Sequence, residues 1–130
     1  MYGQTLYART TLSQEFHDAR LVVLARVSSK RNLWNLDPEG AWGTVYRLAV
    51  VRTFKGRTGS IVRDFSERDS GGFYLDVGRE YLLFLNPIEG SGWGKAAPGA
   101  WMVNYNCGQS RPWTQVPEAD RQLLAALAAK

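Results

Sequence analysis

Thr44-Val45-Tyr46-Arg47-Leu48-Ala49-Val50-Val51-Arg52-Thr53-Phe54 is the stretch on which the fold turns. β-Branched and aromatic residues dominate it, and such side chains suit a pleated, half-buried surface. Under strict alternation Tyr46, Leu48, Val50 and Phe54 share one side, yet Arg52 falls among them. Val45, Ala49 and Val51 share the other side with Arg47. An apolar pattern that changes side within one strand implies a bulge or strong coil. A long strand needs that to bend round the corner of a small closed barrel. Lys55-Gly56 then opens a turn.

Working outward towards the N-terminus, Leu21 to Val27 is apolar except for Arg26, and its valine content predicts a buried strand. Ahead of it, Thr11-Leu12-Ser13-Gln14 fits a capping box, with Thr11 as N-cap and Gln14 reaching back. A short helix through about Asp18 should follow, with Leu12 and Phe16 on one face. Ser28 to Gly43 reads as a long connection holding Lys30, Arg31, Trp34, Asp37-Pro38 and Trp42; connections of such length are more often functional than tight hairpins.

Towards the C-terminus, strands are predicted at Ile61 to Phe65, Tyr81 to Leu85 and Trp101 to Tyr105. The polar run Ser66 to Ser70 with Gly71-Gly72, and a Gly- and Pro-rich loop over 86–100, separate them. Pro117, Glu118 and Asp120 mark the start of a C-terminal helix striped by Leu123, Leu124 and Leu127. The sum is a mainly β fold: a five-stranded OB-type barrel, closed or partly closed, with a short N-terminal helix and a C-terminal helix. A sandwich would want about seven strands.

The chain has 130 residues, 45% hydrophobic and 22% charged, with a net charge of +4, which fits one globular domain over 1–130. No apolar run approaches the ~20 residues of a membrane span, and no basic start followed by an apolar stretch signals a leader peptide. A single cysteine, Cys107, and a single histidine, His17, argue against zinc sites, which draw about three or four protein ligands. His17 reads as a surface residue. Cys107, in Asn104-Tyr105-Asn106-Cys107-Gly108, has no helix start behind it to lower its pKa, so it reads as a buried thiol or half of a broken disulfide. Gly90-Ser91-Gly92-Trp93-Gly94 matches no phosphate loop or nucleophile elbow. The expectation is no enzyme, no cofactor and no metal.

Four blocks resemble one family. Phe16-His17-Asp18-Ala19-Arg20-Leu21-Val22-Val23 is similar to the F-x-x-A-D-V-V passage, helix into strand, of the N-terminal domain of the tissue inhibitors of metalloproteinases, shared with netrin-like modules. Tyr46 to Gly56, ending Phe54-Lys55-Gly56, resembles their Y-x-V…F-K-G strand and turn. Leu75-Asp76-Val77-Gly78 with Glu80-Tyr81-Leu82 resembles L-D-V-G…E-Y-L, and Cys107 with Pro112-Trp113 ahead of a helix resembles the family's cysteine and P-W ending. The blocks stand in family order from 16 to about 125.

The resemblance implies an OB-type barrel in a secreted or cell-envelope (periplasmic) protein. The family inhibits with an N-terminal Cys-x-Cys stapled to the barrel, whose first residue offers its amine and carbonyl to the protease zinc. A loop ahead of L-D-V-G completes the contact ridge. Here Met1-Tyr2-Gly3-Gln4-Thr5-Leu6-Tyr7 holds no cysteine, and Gly71 stands where the loop cysteine falls. Cys107 alone keeps a family cysteine position, which makes it a disulfide candidate whose partner would lie upstream of these residues. A chelating amine must be held rigidly, and an unstapled segment loses on the order of 1–2 kcal/mol of entropy for each residue it orders.

Three functions follow as expectations. The first is a non-catalytic protein-binding module whose contact ridge combines Tyr2, Gly3 and Gln4 with Trp34 and Trp42 of the 28–43 connection and with Asp69, Ser70, Gly71, Gly72 and Phe73. Trp93 lies in a further long loop. The second is metalloproteinase inhibition by the full mature form. The third is an OB-type grip on single-stranded nucleic acid or another polyanion through Arg47, Arg52, Lys55, Arg57 and Arg63, with Tyr46, Phe54 and Phe65 between them. Against the third, Tyr46 and Phe54 share their side with core residues, and Asp64, Glu67 and Asp69 balance Arg63 and Arg68.

Overall fold

A computed structural model describes residues 10–34, 43–67, 73–88, 97–104 and 108–130. Helix α1 (Leu12–Asp18) leads into β1 (Leu21–Leu33), and β2 (Gly43–Lys55), β3 (Ile61–Glu67), β4 (Glu80–Pro87) and β5 (Trp101–Val103) follow. The chain ends with the two-residue β6 (Arg111–Pro112), a 3-10 turn over Trp113–Gln115 and helix α2 (Glu118–Ala128). The strands run in the order β1-β2-β3-β5-β4, and β4 returns to pair with β1, so five strands close into the expected barrel; β6 is a sixth strand added outside the circle on β4. All pairs are antiparallel except β3 with β5.

The change of side in β2 has the expected cause. The β1–β2 register slips between Leu24, which faces Arg52, and Ala25, which faces Val50. Val51 is therefore an extra residue that turns the strand over. Tyr46, Leu48 and Val50 fill the barrel, while Phe54 emerges on the outside beneath the helices, opposite to what strict alternation gives it. Two further slips flank the first: one between Val22 and Val23, which leaves Phe54 an extra residue, and one between Val27 and Ser29, which reorients β1 as it runs on to Leu33; Ser28 to Leu33 are strand, and the connection shrinks to 34–42.

Two apolar layers share the β1 and β4 strands. Leu21, Val23, Ala25, Val27, Tyr81, Leu83 and Leu85 point into the barrel. Val22, Leu24, Leu82 and Phe84 point outward and pack with Leu12 and Phe16 of α1, Leu124 of α2 and Phe54. Both faces are covered, so these strands read as unbroken apolar runs. Thr11 caps α1 by accepting from the Gln14 backbone N–H at 3.1 Å, but the Gln14 side chain turns to Asp18 instead of reaching back, so the capping box is half made. Pro117 is the N-cap of α2. Gly56, at φ 85°, brings the turn after β2 against α1's exit, where an added Cβ would stand 2.6 Å from the Arg20 carbonyl oxygen.

Candidate functional site

Two of the predicted contact loops rise from one rim of the barrel. Leu33 pairs with Gly43, and Gly43 pairs in turn with Glu67, so the 34–42 connection and the segment after β3 leave from neighbouring strand ends. Trp34, the first residue past β1, is 59% exposed. Across the rim the Phe73 N–H donates to Ser66 Oγ at 2.8 Å, which closes the loop between them. The Phe73 ring is half-buried against the barrel core, so it anchors that loop, while Tyr74 beside it is 47% exposed. Trp42, Asp69, Ser70, Gly71 and Gly72 lie outside the described residues, as do Tyr2, Gly3, Gln4, Trp93 and Cys107.

The flanks of the N-terminal segment and of Cys107 meet. Gln109 donates its side-chain amide to the Thr10 carbonyl at 2.6 Å and its backbone N–H to Glu15 Oε1, also at 2.6 Å. Glu15 is fully buried at the base of α1 and Gly108 packs against its carboxylate, where a Cβ would collide. The chain into residues 1–9 therefore starts two residues' reach from position 107.

The five cations proposed for a polyanion grip do not form one surface. Arg47 and Arg63 face each other directly across β2 and β3. Arg52 instead stacks 4.7 Å over the Phe54 ring, and Lys55 Nζ donates to the Phe16 and His17 carbonyls at 2.7 and 2.8 Å, closing the end of α1. Arg57 lines a separate open cleft of about 1000 Å³ between α1, the end of β2 and α2. Tyr46, Phe54 and Phe65 are 2%, 5% and 1% exposed, so none offers a ring face to a base. Lys30 and Arg31 join Arg47 and Arg63 because β1 continues past Val27, and the four surround a shallow groove of about 260 Å³ floored by Val45 and Ile61. Sequence reasoning missed these two by placing them in a loop.

Asp64 does not neutralise Arg63. Its side chain points into the barrel, is 0% exposed and, among the described residues, finds no hydrogen-bond partner for either oxygen. Burial pushes its carboxyl well above the usual carboxylate range. Ion pairs form elsewhere, Arg111 with Asp120 at 2.7 Å and Arg79 with Asp76 at 3.6 Å. Among the described residues no three His, Cys, Asp or Glu cluster to hold a metal, and no helix is long and apolar enough to cross a membrane. No protein-family model matches the chain, and no curated protein matches its sequence.

Proposed function

We propose that the chain is a non-catalytic protein-binding module that meets its partner with the loops of one barrel rim. The observation that supports this reading is the shared origin of those loops: Leu33, Gly43 and Glu67 are successive cross-strand neighbours, with Trp34 exposed at their edge. A large, rigid ring on a fixed scaffold is the type of residue that anchors interfaces. The resemblance to tissue inhibitors of metalloproteinases directs the search to secreted or envelope proteins. The test is capture from that compartment by the wild-type chain and by Trp34→Ala in parallel. A partner held by the first and released by the second is the expected result; no Trp34-dependent partner would overturn the reading.

The bond that ties Thr10 to Gln109 favours a second reading, in which the segment ahead of Thr10 contacts a metalloprotease. Inhibition assays against a protease panel, with the authentic mature N-terminus, decide it: no inhibition removes it.

A further inference from the structure

We infer that the open edge of β1 binds an extended, carboxylate-bearing segment of a partner protein, which lies along that edge with its acidic side chains on Arg31 and Arg47 of the outer face. This face is distinct from the loop rim, and loss of rim binding leaves it intact.

Directly opposed like charges destabilise a sheet, and Arg47 and Arg63 are such a pair. Among the described residues no acidic side chain lines the groove they share with Lys30 and Arg31. The nearest carboxylate in sequence, Asp64, is sealed inside the barrel, and Glu67 sits at the rim opposite Gly43. An anionic ligand would relieve that repulsion.

The Arg47 guanidinium is also held in place. Its Nη1 donates to Ser28 Oγ at 3.3 Å, which carries it over β1 towards the edge, whereas Arg63 Nη2 turns the other way and donates to the Pro98 carbonyl at 2.6 Å. Side chains already fixed lose less freedom when a ligand arrives.

The edge supplies the second half of the site. Ser29 to Leu33 pair with β2 on one side, whereas the pairing of β1 with β4 ends at Arg26. Among the described residues no strand covers the remaining edge, so its outward N–H and C=O groups can take an added strand. Single-stranded nucleic acid would want stacked rings beside the cations, and among the described residues no aromatic side chain lines this groove. A peptide fits where a base does not.

The test is fluorescence anisotropy on the intact chain with a labelled, capped peptide alternating Glu and Val. Controls are the Lys–Val counterpart and an oligothymidylate of equal charge. Saturable binding of the Glu–Val peptide that weakens with salt is expected. Arg47→Gln and Arg31→Gln should each weaken it about two- to fivefold, the range for exposed charge pairs, while Arg57→Gln leaves it unchanged. Thermal unfolding checks that each variant is folded, and should one fail, the other carries the same expectation. The inference is overturned by absent saturable binding, by equal binding of the Lys–Val peptide, by full affinity in the folded variants, or by tighter binding of oligothymidylate.

Discussion

The outside of the barrel wall has one face under helices and one that, among the described residues, no helix covers, where Ile88, Ala97 and Ala100 close over Val45 and Phe65; β1 takes part in both. In its first half Val22 and Leu24 point outward into a layer closed by Leu12, Phe16 and Leu124. In its second half Ser29 and Arg31 point outward beside Arg47 and Arg63, with no helix above them. Between the halves the register slips at Ser28. One strand thus changes chemistry where its helix cover ends: what lies under the helices is apolar, and what lies beyond them, as far as the half-buried Leu33, is polar and cationic. Charge on this barrel marks the surface left open, whereas the apolar outer residues mark the surface already occupied by the chain itself.

The largest effect that would sharpen this contrast is expected on the covered face. Phe84 is fully buried between barrel and helices, and Phe84→Ala should destabilise by about 3–5 kcal/mol in urea unfolding, the range for large-to-small core changes. A loss below about 1 kcal/mol would mean that the helices do not seal that face. Gly56→Ala should come next, at about 1–3 kcal/mol, because positive φ and the close Arg20 carbonyl both oppose a side chain there.

Asp64 tests the wall behind the bare face. Its folded carboxyl keeps a proton at pH values where the unfolded chain has released it. The folded state then binds more protons, so stability falls as pH rises above the ordinary carboxylate range towards the raised value. Asp64→Asn removes that slope: the variant should gain on the wild type between pH 4 and pH 7, by about 1–2 kcal/mol for one unpartnered buried group. A wild type with no greater slope than the variant would place water or a partner at Asp64. The smallest effect is expected at Arg47→Gln, within about 0.5 kcal/mol by thermal unfolding, as for other exposed sites. A large loss there would show the arginine bracing the sheet and not waiting for a ligand.

The barrel was legible in the sequence because a break in alternation has few physical causes. Arg52 among Tyr46, Leu48 and Val50 could be accommodated only by an extra residue, and Val51 is that residue. The covered strands were legible as apolar runs for the same reason. The upper half of β1 was not: Ser28, Ser29, Lys30, Arg31 and Asn32 are polar on both faces because one face is bare and the edge is open, so no period-2 signal survives. β6 escaped because two residues, one a proline, carry no pattern. Of the candidate ridge, the exposure of Trp34 was readable from its place in a connection, while the shared rim of Leu33, Gly43 and Glu67 is a property of strand register that sequence spacing does not encode. Asp64 was misread as a surface counter-charge since Arg63 precedes it, and adjacent strand residues face opposite ways.

One pairing closes the circle on this side: Asp64 against Trp101, the single parallel bridge between β3 and the three-residue β5. A hoop fastened by one clasp unfastens there first. The clasp also carries the side chain least content to be dry, so each transient parting lets water in to ionise Asp64 and prolongs the gap. Backbone amides of β3 should therefore trade hydrogen for deuterium ahead of those of β4, and alkalinity should hasten that exchange beyond its intrinsic chemistry.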